Sequence, residues 1–237
     1  ARLRDVVPAS NIILMTNSQY ADIIAEQLPD IAPGQILLEP ARRNTAPCIA
    51  WAAWHIAAIN PDASIMVAPS DHLIIRTDDY ARSVKASFEF VERHTTSLLT
   101  MGIKPSRPET GYGYIQTGAA INGPFSTVKT FTEKPNEELA RVFVDSGEFL
   151  WNSGMFFWSA RAIIDAMRTH AAEVAAVMDG GADVMGTPDE QPYINAHYSD
   201  CPNISVDYAV MEKAAGVCVQ AVDFGWSDLG TWGALYD

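Results

Sequence analysis

The chain has 237 residues, a formal net charge of −13, 48% hydrophobic residues and 19% charged residues. That length and composition suit one large α/β domain, and the acidic balance argues against a nucleic-acid binder, which needs clustered Lys and Arg. No apolar run reaches the ~20 residues of a membrane span. The cysteines (Cys48, Cys201 and Cys218) have neither zinc spacing nor the even number of a disulfide framework. A reducing, cytoplasmic setting is expected, with no nucleic acid and no membrane as partner.

The opening "ARLRDVVPAS" has no initiator Met and no secretory h-region, and reads as the end of a helix entering a loop. Short Ile/Val-rich runs then alternate with helical stretches. "NIILMT" (11–16), "QILLE" (35–39) and "SIMVA" (64–68) read as buried strands. Between them lie "SQYADIIAEQL" (18–28) and "NTAPCIAWAAWHIAAIN" (44–60). The second is apolar on nearly every face, hence a buried helix, with Asn44 as its N-cap. A further helix over 77–94 carries Tyr80, Val84, Phe88 and Val91 on one stripe. Such alternation predicts βαβ units and a largely parallel sheet.

From about residue 98 the strands shorten and Gly, Pro and Asn turns separate them: "LLTMGI", "GYGYIQTG", "TVKTFTEK" and "GMFFWSA". Helices over 135–147, capped by Asn136 and ended near Gly147, and over 159–170, capped by Ser159, follow charged turns. A last strand, "VCVQAVDF", runs into "GWSDLGTW". No internal repeat or long linker interrupts the chain, so a single domain over 1–237 is expected.

Polar residues cluster where strands end. "PSDH" puts Asp71 after the "SIMVA" strand, and Asp228 follows the last strand. If those strands are neighbours, two carboxylates converge on one crevice, and Mg²⁺ is held by one or two carboxylates plus substrate phosphates. His72 reads as a hydrogen-bonded neighbour rather than a metal ligand. In "EPARRNTAP" two arginines and Asn-Thr precede a helix N-terminus, a ready anion site; a plain N-cap with solvated arginines is the other reading. Gly111 and Gly113 flank Tyr112 and would let a ligand approach the backbone. "FTEKP" sets Glu133 and Lys134 at a strand end, a place for phosphate or for a simple charged turn. Asn152 in "WNSGMFFW" leads into an apolar strand, and Trp151 and Trp226 read as packing.

In order along the chain, "EPARRNTAP", "PSDH", "GIKPSRPETGYGYI", "FTEKP", "WNSGMF", "ISVDYAVMEK" and "WSDLGTW" resemble the bacterial mannose-1-phosphate guanylyltransferases, also called GDP-mannose pyrophosphorylases. The resemblance covers essentially the whole chain. It implies a Rossmann-like mixed, mainly parallel sheet flanked by helices, and the reaction of GTP with mannose 1-phosphate to give GDP-mannose and pyrophosphate. By the same resemblance Asp71 and Asp228 would hold Mg²⁺ and Lys134 would bind the sugar phosphate. Glu133 would take the mannose hydroxyls, with Gly111, Asn152 and Asp207 lining the mannose pocket. Arg43, Asn44 and Thr45 would lie near the nucleotide.

The sequence departs from that pattern in one block. The family opens with a strand and a Gly-rich loop ending in Thr-Arg, and nothing like it occurs before "ARLRDVV". The chain is therefore expected to be truncated at its N-terminus, to lack the family's C-terminal extension, and to have little transferase activity by itself. Exposed strand edges would then favour homo-oligomers or aggregation. Two alternatives stay open: a sugar-1-phosphate nucleotidyltransferase of other specificity, and a non-catalytic sugar-phosphate-binding domain.

Overall fold

A computed structural model describes Leu3 and residues 6–229; the last three residues of the "GWSDLGTW" motif lie outside the described residues. In chain order the elements are β1 (Leu14–Asn17), α1 (Ala21–Gln27), β2 (Ile36–Glu39), α2 (Thr45–Ile59), β3 (Ser64–Val67), β4 (Leu73–Ile74) and α3 (Thr77–Arg93). Then come β5 (Leu98–Ile103), β6 (Tyr114–Asn122), β7 (Phe125–Thr132), α4 (Glu137–Ser146) and β8 (Phe149–Ser159). The chain continues through α5 (Ala160–His170), α6 (Ala172–Gly180), α7 (Glu190–His197), β9 (Val217–Val222) and β10 (Trp226–Ser227). A π-helical turn, Asp207–Met211, precedes β9. The chain divides into two compact units, Ala1–Ala63 with Ala160–Lys213, and Ser64–Ser159 with Ala214–Asp237.

In the first unit β1 and β2 pair in parallel, Leu14 opposite Ile36, with α1 between them in sequence. This is the expected βαβ unit, although α1 buries none of its residues. Helix α2 packs against α5 and α6. Its apolar faces are buried at Ala46, Ile49, Ala50, Trp51, Ala53 and Trp54, as its composition requires. Helices α6 and α7 were not legible in the sequence. Residues 171–203 carry Gly180-Gly181, Pro188 and Pro192, which mask a helical period; Pro192 is tolerated because it lies in the first turn of α7.

The second unit is built on a six-stranded sheet, ordered β3-β8-β5-β9-β7-β6, with β6 also pairing with β8. The pairings β8–β5–β9–β7–β6 therefore return on themselves. Only β5–β9 is parallel here; β8 runs antiparallel to β3, β5 and β6, and β7 antiparallel to β6 and β9. The mixed α/β class holds, with a larger antiparallel share than strand–helix alternation suggests. The reason is β6–β7, a hairpin turned at Gly123 (φ 49°), and the long β8, which reverses through the sheet. Helix α3 packs on β3, β5 and β8, burying Tyr80, Val84 and Val91 of the expected stripe. Phe88 is half-buried and meets Phe157 edge-on, with ring centroids 5.4 Å apart. Helix α4 packs on β8, and is bounded by Asn136, whose side chain accepts from the Leu139 N–H at 2.9 Å, and by Gly147 at φ 69°. Ser159, read as the cap of α5, is the last residue of β8 and directly precedes that helix; its hydroxyl donates to the Thr95 carbonyl.

Candidate active site

The "PSDH" turn leaves β3 and enters β4, which pairs antiparallel with β10, Ser227 opposite Leu73. Continuing that register sets Asp228 opposite His72. Asp71, one residue earlier, thus lies at the same end of the ladder as Asp228. The ladder is tight: Ile75 and Arg76 donate to the carbonyls of Gly225 and Phe224 at 2.9 and 2.8 Å. Gly225 has φ 68°, and a Cβ there would stand 2.8 Å from that of Ile75, so only glycine suits the position. The Asp71 side chain is 81% exposed, and its oxygen is 3.9 Å from His72 Nε2, beyond hydrogen-bond range. His72 Nδ1 accepts from the Trp226 indole N–H at 3.0 Å. An indole nitrogen can only donate, so Nδ1 carries no proton and His72 is held as the Nε2–H tautomer.

Tyr112 connects this ladder to the rest of the unit. Its hydroxyl donates to Asp228 Oδ1 at 2.6 Å. Its ring meets Trp151 and Trp226 edge-on, with centroids 5.1 and 5.3 Å away. Burial first, then the hydrogen bond to Asp228 and that carboxylate's charge, push the phenol well above its ordinary pKa of 10, so it remains a donor. Its carbonyl accepts the Lys134 N–H at 3.2 Å. No local pattern singles out Tyr112; the signal in the sequence is an aromatic residue between two glycines just before a strand. Of those glycines, Gly111 donates its N–H to Glu109 Oε1 at 3.0 Å.

Glu133 and Lys134 follow β7. Lys134 sits at φ 46°, an uncommon conformation for a side-chain-bearing residue. Pro135 disfavours the right-handed helical region for the residue before it, and such strain is worth about 1–3 kcal/mol. The Lys134 ammonium, 58% exposed, hydrogen-bonds the Glu133 carboxylate, which is only 8% exposed. That carboxylate lies against Gly113, so close that a Cβ on Gly113 would collide with Glu133 Oε2 and crowd the Asn152 Cβ at 3.3 Å. Asn152, in β8, donates its N–H to the Gly113 carbonyl at 2.8 Å. Its Oδ1 accepts from Thr100 Oγ1 at 3.0 Å and the Gly154 N–H at 3.2 Å, which fixes the amide's orientation. Asp71, Gly111, Glu133, Lys134, Asn152 and Asp228 therefore all lie on the second unit.

Arg43, Asn44, Thr45 and Asp207 lie on the first. Asn44 has φ 65° and ψ −167°, a region that side chains other than glycine's rarely occupy. Its Oδ1 accepts the Thr45 N–H at 2.9 Å. The surroundings hold this strain in place. Arg43 Nη2 donates to the Ser199 carbonyl at 2.5 Å, and the Ile204 N–H donates to the Arg43 carbonyl. Ala46 N–H in turn reaches the Ile204 carbonyl, and Val206 N–H reaches Thr45 Oγ1 at 2.9 Å. Asp207 follows Val206 and opens the π-helical turn, so it belongs beside this loop. Arg43, read either as part of an anion site or as a solvated charge, is partly a structural clamp.

The cysteines have no catalytic setting. All three are free thiols; burial, then the Glu39 carboxylate, raises Cys48 far above its ordinary value, and burial lifts Cys201 to about 11 and raises Cys218. Among the described residues no cluster of three or more His, Cys, Asp or Glu could hold a metal ion by itself, and no helix is long and apolar enough to cross a membrane.

Residues 6–237 match the family model described as Nucleotidyl transferase. The chain is similar to a mannose-1-phosphate guanylyltransferase from Sinorhizobium fredii, 37% identical over 230 residues, covering 94% of this chain and 44% of that protein. A mannose-1-phosphate guanylyltransferase from Klebsiella pneumoniae is 36% identical over 237 residues, covering 95% of this chain and 49% of the relative. The chain thus spans about half the length of the curated relatives it matches. Among solved structures, the crystal structure of a mannose-1-phosphate geranyltransferase from Thermus thermophilus superposes with a TM-score of 0.87 at 28% identity, covering 99% of this chain and 65% of that one.

Proposed function

Because the chain belongs to the nucleotidyl transferase family, we propose that this protein catalyses the guanylyltransferase reaction: GTP and mannose 1-phosphate give GDP-mannose and pyrophosphate. One observation carries the reading. Asp71 and Asp228 end the same short ladder, while Asp228 and the Lys134 amide are both hydrogen-bonded to Tyr112. An acidic pair and a cation–carboxylate pair are thus tied into one framework, as transfer between phosphates requires. The choice of GTP and mannose 1-phosphate rests on what the similar proteins are called.

Asp71 and Asp228 offer carboxylate oxygens, the hard donors that Mg²⁺ takes, and a Mg²⁺ site needs only one or two such groups beside substrate phosphates and water. They fit the ion, which when bound would offset phosphate charge and make the α-phosphorus more electrophilic. The chain's own residues supply the rest. Lys134 presents its ammonium to the phosphate of the sugar, and Glu133, already buried and oriented, accepts from sugar hydroxyls. Gly111 leaves the loop backbone open to the sugar, and Asn152 adds a polar contact. Arg43, Asn44 and Thr45 serve the nucleotide beside the N-terminus of α2. A sugar-phosphate oxygen forms a bond to the α-phosphorus as the α–β bridging bond breaks, its electron pair leaving with pyrophosphate. That oxygen is ionised at neutral pH, so no protein base is needed. Positioning and charge neutralisation are the catalytic contribution.

The test is pyrophosphate release by the whole protein with each pairing of GTP or UTP and mannose 1-phosphate or glucose 1-phosphate. GTP with mannose 1-phosphate is expected to win. D71N and D228N are each expected to lower kcat by roughly 100-fold or more, the scale of removing one charge-stabilising group, and K134A to raise KM for mannose 1-phosphate. Equal turnover with UTP and glucose 1-phosphate would favour another specificity. Tight binding of mannose 1-phosphate with no turnover of any pair would leave a binding domain.

A further inference from the structure

Asp228 follows the two-residue strand β10 and is not held by a long ladder. A carboxylate on so short an element needs a further restraint if its oxygens are to meet an ion reproducibly. One such restraint is Tyr112, whose hydroxyl holds Asp228 Oδ1. We infer that Tyr112 is the positioning residue for Asp228, orienting that carboxylate toward a divalent cation while coupling it to the Lys134 segment.

Three independent features support this. The hydroxyl–carboxylate contact, at 2.6 Å, is a short, charge-accepting hydrogen bond of the strong kind. The phenol cannot swing away, because Trp151 and Trp226 meet its ring edge-on and the residue is only 7% exposed. Its backbone is fixed as well: the Tyr112 carbonyl accepts the N–H of Lys134, and the neighbouring Gly113 carbonyl accepts that of Asn152. Trp226, one of the two rings against Tyr112, lies in β10 and pairs with Ile74 of β4, just beyond Asp71 and His72. A single side chain therefore meets the β10 ladder at both its carboxylate and its indole. Outer contacts of this kind set the orientation of a ligand carboxylate, and losing one typically weakens metal affinity about 10–100-fold.

The inference rests on the proposed assignment of Asp228 to the metal, and the experiment separates the two. The probe is Mn²⁺, titrated into the whole protein saturated with GDP-mannose, with the free ion followed by its electron paramagnetic resonance signal. Y112F removes one hydroxyl and keeps both ring contacts. It is expected to raise the Mn²⁺ dissociation constant about tenfold or more, with the KM for mannose 1-phosphate within about twofold of wild type, since the carbonyl bond to Lys134 is untouched. D228N is expected to weaken Mn²⁺ strongly, and adding Y112F to it to change nothing further, because the hydroxyl acts through that carboxylate. Normal Mn²⁺ affinity in Y112F beside a weakened D228N would overturn the positioning role alone. Normal affinity in D228N would overturn the metal assignment and this inference with it. A Y112F protein whose urea midpoint falls in step with its Mn²⁺ affinity, or an additive double variant, would show a structural hydroxyl and overturn it too.

Discussion

Single residues set the chemistry through close approach. Gly113 shows this most clearly, because the space a side chain would need is filled by the Glu133 carboxylate. Gly113→Ala is expected to displace that carboxylate and raise KM for mannose 1-phosphate by about tenfold to a hundredfold, since a shift of about 1 Å in a positioning group can cost that much. Steady-state kinetics at saturating GTP measure it, and an unchanged KM would remove Glu133 from the sugar site. Lys134 and Asn44 carry positive φ at two of the loops read as functional. Such conformations persist only where the surroundings over-determine them. Around Asn44 those surroundings are visible in the bonds from Arg43, Ala46, Ile204 and Val206.

Between elements, the first unit relies on a buried carboxylate. Glu190, at the start of α7 and 5% exposed, accepts from Trp51 Nε1 at 2.6 Å, His55 Nδ1 at 2.8 Å and the Gly186 N–H at 2.8 Å. It therefore braces α7 against α2, the helix whose N-terminus carries the Arg43–Thr45 loop. Burial alone would push its pKa up. The hydrogen bonds from His55, Trp51 and Gly186, with the charge of His55, outweigh that and hold it below the ordinary 4.5. A depressed carboxylate pKa contributes stability that is present above 4.5 and lost as pH falls through the lower, folded-state value. Glu190→Ala strands three buried donors and is expected to cost about 3 kcal/mol near neutral pH, with the gap to wild type closing below pH 4.5. Urea unfolding at several pH values measures both, and a gap independent of pH would mean the carboxylate contributes no charge-dependent stability.

For the molecule as a whole, burial is unevenly distributed. Strand β5 is buried from Leu98 to Gly102 and lies between β8 and β9, whereas α1 buries nothing and β1 is only half-buried. Local opening follows such differences, since elements with few buried apolar contacts open at low free energy. Amide hydrogen exchange of this chain is expected to be slowest across β5, β8 and β9 and fastest across α1, by several orders of magnitude in rate. Equal protection in α1 and β5 would contradict that ordering. Acidic net charge, −13 overall, has a smaller part here, because charges near the surface are screened over roughly 8–10 Å at ordinary salt.

The sequence by itself determined the α/β class, the buried helix α2, the caps at Asn136 and Gly147, and the positions of the polar strand ends. Each is written in local signals: apolar period, capping residues, turn formers. It also determined that Asp71 and Asp228 could converge if their strands were neighbours. The tertiary structure decided that those strands, β3 and β9, are not neighbours, since β8 and β5 lie between them. The two aspartates share one end of a ladder through β4 and β10, which are two residues each and too short to leave a period. Tertiary structure likewise decided the antiparallel reversal at β8, the division into two compact units and the brace at Glu190. The join made by Tyr112 belongs with them, because its hydroxyl and Asp228 lie 116 residues apart and no local pattern records a contact across that distance.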